Sequence, residues 1–342
     1  MQTEKQEPID IVLTEYPLEV LGIRNESYKD KKGVWWVQTP AGYRILKKIS
    51  NSESTFKHIL HATKHLLANG VNLPNVNQTR DHRDYVNLNG TCFVLLDAIE
   101  GKNPSYSIPQ ELETVVKGLA RFHKSSKGFF PAPDTKPKYH LGTWIEDYEQ
   151  QLEDMNKFYK DECGKQEPDA IGKAVIKEFP YFYERGKKAL EGLRGKDYSD
   201  WVNKASKEGC LCHQDFAAGN LLLHPSGKLY ILDTDSLTVD IAARDIRKLL
   251  NKVMKKAGKW NLELTKNMFR YYQAENPLTP AEWRVVKLDL LFPHLFLGAM
   301  SKYYYKRDKE WNMDKYLQRI LEMAQFEKTI TPVIDHFDSM IP

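Results

Sequence analysis

The stretch CHQDFAAGNLLL at residues 212–223, followed by YILDTD at residues 230–235, decides the fold of this chain. Short apolar runs around a PSG turn predict two strands, with polar residues concentrated beside them. Asp215 on the loop can accept a hydroxyl proton, and Asn220 and Asp233 can converge on Mg2+, because hard oxygen ligands suit this ion. Catalysis of phosphoryl transfer is largely positioning together with metal and cation stabilisation. The pattern therefore predicts phosphoryl transfer.

The composition of the 342 residues is that of an ordinary soluble globular protein, with 41% hydrophobic and 28% charged residues. This length predicts roughly two domains. The 50 Lys and Arg residues nearly balance the 46 Asp and Glu residues, with interleaved signs, which argues against a nucleic-acid partner. The most apolar late stretch, at residues 288–300, is broken by Asp289 and Pro293 and is too short to cross a membrane. We expect neither nucleic acid nor a membrane as a partner.

Two features predict synthesis in a reducing cytosol. The four cysteines form no CxxC pair, which fits a compartment where thiols stay reduced. Residues 1–10 carry acids and lack an apolar core segment, so no signal peptide is expected.

The first third of the chain predicts a small sheet with one helix. Runs at residues 34–39 and 43–49 flank the turn signal Pro-Ala-Gly and predict a hairpin. Residues 52–70 then predict a helix that begins at Ser52 or Ser54 and stops at Gly70. Two more strand-like runs follow and end in LLDAIEG.

After Pro109 the pattern is mainly helical as far as the C-terminus. One segment, from Cys210 to Asp240, interrupts it with the two short strands described above. The segment DIAARDIRKLL follows, in which Asp240 and Asp245 are expected to brace the loop or cap the helix.

The order HxDxxxxN, an apolar strand and then an aspartate resembles the catalytic and metal-binding loops of kinase-like phosphotransferases, especially the aminoglycoside phosphotransferase and choline kinase branch. Asp233 is followed by Thr234 and Asp235 rather than by Phe-Gly, which favours the branch that acts on small molecules. The resemblance implies an α+β, protein-kinase-like fold of two lobes. A nucleotide-binding lobe with a small antiparallel sheet and one helix would span residues 1–101 and end at the hinge, and a mainly helical lobe would span residues 102–342.

The same resemblance implies ATP and Mg2+ as cofactors. Asp215 would be the catalytic base, and Asn220 and Asp233 the metal ligands. His213 and Asp235 would have supporting roles.

Upstream, the strand YRILKKI places Lys47 on one face with apolar neighbours, and the next lysine on the other. Lys47 matches the lysine strand of the family and is the better candidate for a phosphate clamp, whereas Lys48 is expected to be a solvated charge. The resemblance also identifies LLDAIEG as the hinge, where backbone groups of Asp97, Ala98 and Ile99 would meet adenine. A plain strand end and turn is the competing interpretation.

Two departures from the family pattern bear on ATP use. No GxGxxG run precedes the hairpin, so the backbone amides that such a loop brings against phosphates are missing. The only acid between residues 51 and 80 is Glu53, near the start of the helix, whereas the glutamate that usually pairs with the lysine lies deeper. Glu53 is thus a supporting candidate, and Lys47 is expected to pair with Glu53 or with nothing.

With these departures, the chain is most similar to bacterial spore coat proteins of the CotS/CotI type. This resemblance implies synthesis in the mother-cell cytosol and deposition in the spore coat, with a small-molecule or protein hydroxyl as acceptor and other coat proteins as further partners. Two functions follow: an ATP- and Mg2+-dependent phosphotransferase, or a catalytically weak or inactive structural protein that kept the kinase scaffold. Fold alone does not decide between them.

Other residues offer alternative sites. Aromatic and acidic residues of the helical part can hold a cationic or sugar-like acceptor, and core packing is the competing interpretation for each of them. These residues are Tyr139, Trp144, Asp147, Tyr148, Trp283, His294 and Tyr303 to Tyr305. Two sets could suggest a metal site, although solvated or inward-packed side chains are the favoured interpretation. The sets are His58, His61 and His65, and Cys210, Cys212 and His213.

Overall fold

The structure, a computed structural model, describes residues 7–29, 32–307 and 310–341. Most of the N-terminal stretch that was searched for a signal peptide therefore lies outside the described residues. The chain divides into two compact units, whose segments alternate along the sequence. The first unit comprises Met1–Pro104, Phe130–Lys138 and Ala218–Leu237, and the second comprises Ser105–Phe129, Tyr139–Ala217 and Thr238–Pro342. A functional boundary at residue 101 stays a prediction.

The first unit is built on one antiparallel sheet. Its strands are β1 (Gly22–Lys29), β2 (Lys32–Thr39), β3 (Gly42–Ile49), β4 (Val76–Asn77), β5 (Val86–Leu88) and β6 (Thr91–Asp97), and its helices are α1 (Ile9–Thr14) and α2 (Glu53–Ala68). They pair in the order β1-β2-β3-β6-β4, with β5 on β6. A short 3-10 turn at Ala218–Asn220 leads into a separate pair, β7 (Leu221–Leu223) and β8 (Leu229–Ile231). The predicted hairpin of β2 and β3 and the two short strands predicted around the PSG turn are confirmed.

The β2–β3 hairpin sets the two faces of the sheet. Its turn ends at Gly42, whose φ of +101° suits a residue without a side chain. Because cross-strand partners point to the same face, Lys47 shares its face with Val34 and Val94. The opposite face carries Trp35 and other core residues against α1.

Helix α2 begins and ends where the sequence predicts. The hydroxyl of Ser52 accepts from the Thr55 N–H at 3.3 Å, so Ser52 rather than Ser54 is the N-cap. Gly70, with φ of +82°, follows the helix. Phe56 and Ile59 pack on the sheet face that carries Lys47.

Helix α1 is short and was not predicted from the sequence. It has no side-chain N-cap hydrogen bond and spans only six residues, so its pattern is too short for a helical period to show. Val12 and Tyr16, both 0% exposed, fix it on the sheet. Tertiary packing therefore determines this helix.

The second unit is helical. Its helices are α3 (Pro109–Ser125), α4 (Trp144–Cys163), α5 (Ala170–Leu193), α6 (Lys196–Glu208), α7 (Ala243–Lys256), α8 (Leu262–Glu275), α9 (Pro280–Leu291), α10 (His294–Tyr304), α11 (Met313–Lys328), α12 (Thr331–Asp335) and α13 (Phe337–Met340). The apolar stretch at 288–300 is divided between α9 and α10 at Pro293, which cannot donate a helical hydrogen bond. Among the described residues, no helix is both long and apolar enough to span a membrane.

Candidate functional site

Lys47 lies on β3 and reaches the segment that follows β8. Its Nζ donates to the Leu232 carbonyl at 3.3 Å and lies 3.8 Å from Asp233 Oδ1. The Lys47 side chain is 19% exposed and that of Asp233 is 39% exposed, so the pair is partly open to solvent. The sheet register alone fixes which face Lys47 occupies. The contact with Asp233 requires the tertiary fold.

Asn220 and Asp233, predicted as metal ligands, stand on neighbouring backbone. The Leu232 N–H donates to the Asn220 carbonyl at 2.9 Å, which places the residue before Asp233 against Asn220. The Asp235 N–H donates to Asp233 Oδ1 at 3.1 Å and orients that carboxylate. The side chains of Asn220 and Asp233 carry an amide oxygen and a carboxylate, which are ligand types that Mg2+ takes. The residues present therefore fit a divalent cation.

Lys32, at the start of β2, was missed in the sequence analysis. Its Nζ donates to Asp235 Oδ2 at 3.1 Å. Burial alone would lower the pKa of Lys32, but its hydrogen bond to Asp235 and the negative charges of Asp235 and Asp233 raise it. The lysine-rich sequence at residues 29–32 was the available signal, and such runs are usually solvated.

Two aromatic residues on the Lys47 face were also missed. Trp36 and Tyr43 meet edge to face with ring centroids 5.7 Å apart, and the guanidinium of Arg24 lies 5.5 Å from the Trp36 ring centroid. They border an open pocket of about 420 Å³. Tyr43 shares its face of β3 with Lys47, since the two are four residues apart on one strand. Strand alternation was the available signal.

Glu53 does not pair with Lys47. The Glu53 carboxylate accepts from Tyr85 Oη at 2.6 Å and from Asn87 Nδ2 at 2.8 Å. The Tyr85 hydrogen bond is the main cause that lowers the pKa of Glu53. At 1.5 Å per residue, Glu53 lies about 15 Å along α2 from Thr63. The expected pairing of Lys47 with Glu53 or with nothing is therefore wrong, because Lys47 pairs with Asp233.

Thr63 occupies the part of α2 that approaches the Asp233 segment. Its hydroxyl lies 3.2 Å from that of Thr234. Both border a cavity of about 30 Å³ that also has aliphatic walls, among them Ile59 and Leu60. A carboxylate at this place would lose its hydration in an apolar surrounding, which gives a physical reason for threonine here.

Lys48 is not the solvated charge that was expected. Its Nζ lies 2.5 Å from Glu7 Oε1, and its side chain is only 12% exposed. Strand alternation places Lys48 on the face opposite Lys47. The N-terminal segment before α1 supplies its partner, which strand periodicity cannot reveal.

The predicted hinge begins at the end of β6. The Asp97 N–H donates to the Asn75 carbonyl at 3.0 Å. Its carboxylate accepts from Asn75 and Asn77 and lies 3.4 Å from Arg44 Nε. The side chain and N–H of Asp97 are thus engaged within the first unit, and Ala98 and Ile99 follow it half-buried.

Asp215 lies in the second unit, three residues after a bridge between Cys212 and Thr238. Its side chain is 56% exposed, and Lys252 Nζ donates to its Oδ1 at 2.5 Å. The residue before it, Gln214, has φ of +69°, a left-handed conformation that is costly for a residue with a Cβ. Asp215 is therefore an accessible carboxylate beside a lysine, at the end of a strained backbone turn.

Asp245, in the first turn of α7, holds this turn. Its carboxylate accepts from the N–H groups of His213 at 2.5 Å and Gln214 at 2.8 Å, and it lies 3.2 Å from His123 Nε2. Burial acts to raise the pKa of Asp245, but the hydrogen bonds from His123 and His213 outweigh it and lower the pKa. The other His123 nitrogen lies 2.8 Å from Tyr272 Oη. The predicted bracing role of Asp245 is confirmed.

His213 is fully buried beneath the same turn. Its Nδ1 accepts from the Asp215 N–H at 3.3 Å, and its ring lies edge to face with Phe122 and Phe216. Its packing fixes the backbone that carries Asp215.

The large aromatic acceptor candidates are core residues. Trp144 and Trp283 are 0% exposed and Tyr148 is 2% exposed. The Trp144 indole donates to buried Asp240 at 3.0 Å, and burial raises the pKa of Asp240 to about 6 despite its pairing with Arg244. Packing is therefore the role of these three aromatics.

The alternative metal sets do not assemble in the described residues. His58 is buried, whereas His61 lies 3.2 Å from the Phe130 carbonyl and His65 lies beside Asn69. Within the described chain, one group of three metal-binding side chains comes together: His123, Cys212 and Asp245. All three are buried, and the Cys212 thiol already donates to the Ile241 carbonyl at 3.1 Å. The hydrogen bonds of His123 to Asp245 and of Cys212 to the backbone account for the proximity of these three side chains.

Comparison with solved structures shows the fold. The aminoglycoside phosphotransferase of Alicyclobacillus acidocaldarius matches with a TM-score of 0.82 at 17% identity, and the match covers 99% of each chain. A spectinomycin phosphotransferase in complex with ADP and spectinomycin matches with a TM-score of 0.58 at 12% identity, over 94% of this chain and 97% of the other. The fold is that of the kinase-like phosphotransferases, as the sequence predicted.

A family model and a relative of known sequence identify the family within this fold. Residues 16–337 match the family described as "Spore coat putative kinase YutH", and the chain belongs to it. Spore coat protein S of Bacillus subtilis is 28% identical over 335 residues, which cover 98% of this chain and 95% of that protein. The predicted membership of a spore coat family is confirmed.

Proposed function

We propose that this spore coat family member is an ATP- and Mg2+-dependent phosphotransferase. It transfers the γ-phosphoryl group to a hydroxyl of a small molecule or of a coat component. The observation that carries the proposal is the contact of Lys47 with Asp233, on a segment hydrogen-bonded to Asn220. A half-buried strand lysine and a carboxylate are thereby in contact within one unit, and the backbone beside that carboxylate adjoins Asn220, whose side chain carries an amide oxygen; phosphate and a divalent cation require groups of these kinds.

In this proposal, Asn220 and Asp233 hold Mg2+, which when bound neutralises charge on the phosphates. Lys47 binds phosphate oxygens, and Lys32 adds a second positive charge where the family has a glycine-rich loop. Backbone groups of Ala98 and Ile99, together with Asp97, contact the adenine.

Asp215 is the general base of the reaction. The acceptor oxygen forms a bond to the γ-phosphorus while the bond from that phosphorus to the β,γ-bridging oxygen breaks. The acceptor proton passes to the Asp215 carboxylate, and ADP leaves with the bridging oxygen. His213 and Asp245 position Asp215 through the backbone, and Asp235 orients Asp233.

Nucleotide binding tests this proposal directly. We expect calorimetry to detect Mg-ATP binding that needs the metal and falls at least tenfold in Lys47→Met and Asp233→Asn, since each loses a charge-assisted contact. Lys48→Met is the matched control, because it removes the same charge from the opposite face of the same strand. Metal-independent binding, or equal effects in Lys47→Met and Lys48→Met, would contradict the proposed site.

A second function is favoured by two observations. Glu53 is held by Tyr85 and Asn87 and does not pair with Lys47, and no glycine-rich run precedes the hairpin, so two features that would promote ATP use differ in this chain. In this alternative the protein acts by binding other coat proteins. A strain carrying Asp215→Asn discriminates between the two functions. Normal incorporation into the coat together with normal spore resistance would favour the structural role.

Both functions place the protein in the same compartments. We propose synthesis in the mother-cell cytosol and deposition in the spore coat, on the basis of the family to which the chain belongs. Fractionation of sporulating cells with an antibody against the chain would locate it.

A further inference from the structure

Helix α7 carries a row of four basic side chains on one face. At 100° per residue, positions 244, 248, 252 and 255 fall within an arc of about 80°. The row is about 16 Å long, at 1.5 Å per residue. It is therefore longer than a single phosphoryl group. We call these residues, Arg244, Lys248, Lys252 and Lys255, the basic row.

The middle of the row points at the turn that carries Asp215. Lys252 Nζ donates to the Asp215 carboxylate at 2.5 Å. Lys248 Nζ donates to the carbonyl and to the side-chain oxygen of Gln214, at 2.9 and 2.7 Å. These lysines are thus held against the proposed base rather than spread into solvent.

The positive charges of the row are only partly balanced. Arg244 pairs with Asp240, and Lys252 pairs with Asp215. Lys248 and Lys255 have no carboxylate within ion-pair distance among the described residues. Burial lowers the pKa of Lys248, and the neighbouring positive charges of Arg247 and Arg244 lower it further, against the opposing effect of the Asp245 carboxylate.

A further positive charge, that of Arg319, lies near Lys255 at the C-terminal end of the row. Arg319 of α11 and Lys252 both lie close enough to lower the pKa of Lys255, after desolvation of its ammonium as the first cause. Glu322 lies 3.9 Å from Arg319 and balances it in part. A lysine whose pKa is lowered by neighbouring positive charges is stabilised by a bound anion. The region beside Asp215 is accordingly electropositive.

We propose that the hydroxyl acceptor of this protein is anionic and carries a carboxylate or phosphate group that binds the basic row while its hydroxyl meets Asp215. This inference rests on the proposed phosphotransferase function and adds the charge class of the acceptor. Cationic acceptors are disfavoured, because their charge would face Lys248 and Lys255, neither of which has a carboxylate within ion-pair distance among the described residues.

Matched acceptor pairs test the charge class. Glycerol 3-phosphate is compared with glycerol, galacturonate with galactose, and choline serves as the cation. A serine peptide flanked by glutamates is compared with one flanked by lysines, which separates a small-molecule source of the anion from a protein source. Binding is measured by calorimetry with Mg-AMP-PNP present, and transfer is measured with labelled ATP.

Lys255→Glu and Lys256→Glu form the matched variant pair. Both residues are exposed and adjacent at the end of α7, and both substitutions change the charge by the same amount. Lys256 points about 100° away from Lys255 around the helix. We expect Lys255→Glu to weaken binding of the anionic probes about tenfold and Lys256→Glu to weaken it less than twofold, with Mg-ATP binding unchanged in both.

The outcomes separate this inference from the function on which it rests. Loss of Mg-ATP binding in the unsubstituted protein would overturn both. Normal Mg-ATP binding with no anionic probe bound, or with neutral or cationic probes preferred, would overturn the anionic acceptor alone. Equal effects of the two variants would also overturn it, since the anion would then not use the basic row.

Discussion

Replacement of Asp245 by asparagine tests how the turn before Asp215 is held. The carboxylate accepts from two backbone N–H groups, of His213 and Gln214, and contacts His123. It is 1% exposed, so water cannot replace a lost partner. Asparagine keeps one oxygen acceptor but replaces the other oxygen with an NH2 group, which is a donor. This donor would face backbone N–H groups that are themselves donors. The left-handed conformation of Gln214 then loses its main support.

The expected cost follows from these contacts. A hydrogen bond to a charged group contributes about 1.5–3 kcal/mol, and asparagine can retain roughly one of the three. Losing two such bonds, with a donor facing other donors, predicts a decrease of about 3–5 kcal/mol in the free energy of unfolding. This is a large share of the stability of a typical domain, which is about 5–15 kcal/mol.

Urea unfolding followed by far-ultraviolet circular dichroism measures this decrease, because the helical second unit contributes most of that signal. Asp161→Asn is the matched control, since Asp161 is exposed on α4 of the same unit and surface substitutions usually change stability by about 0.5 kcal/mol or less. A decrease below about 1 kcal/mol in Asp245→Asn would show that the carboxylate does not hold the turn, and the bracing argument would fail.

Three further predictions concern the first unit. Lys32→Gln should weaken Mg-ATP binding about three- to tenfold in calorimetry, because a charge near the phosphates is lost; unchanged affinity would exclude Lys32 from the site. Burial lowers the pKa of His58 to about 4, so the neutral ring contributes up to about 3 kcal/mol to the free energy of unfolding above pH 6.5, and this contribution is lost as the pH falls toward 4. Thermal unfolding of His58→Leu should therefore show a weaker dependence of stability on pH between 6.5 and 4 than that of the unsubstituted protein. Equal pH dependence in the two proteins would contradict this prediction. Gly33→Ala should cost about 1–3 kcal/mol in thermal unfolding, since its Cβ would overlap the Trp35 ring, whereas Gly298→Ala meets nothing within 4 Å and should not destabilise.

Local patterns in the sequence were enough for the elements that carry the site. The Pro-Ala-Gly turn and strand alternation placed Lys47 on the correct face, and Ser52 and Gly70 bounded α2 correctly. The spacing of polar residues around two short strands predicted the kinase-like fold, which the solved structures confirm. These features depend on neighbours in sequence, which is why they could be predicted.

Contacts between distant segments could not be predicted in this way. Lys47 was expected to pair with Glu53 or with nothing, yet it lies beside Asp233, 186 residues further along the chain. Lys48 was expected in solvent and is paired with Glu7. Lys252 was not considered at all, because one lysine in a lysine-rich helix resembles a solvated charge until its neighbour is known.

The chemical groups that this protein carries, and most of the strands and helices that present them, could be recognised without a structure. Periodicity, caps and turns act over a few residues, so they can be recognised without a structure. Only the tertiary structure decided which charges meet, because an ion pair depends on distance in space rather than on separation in sequence. The pairing of Lys47 with Asp233 and the basic row beside Asp215 are both of this second kind.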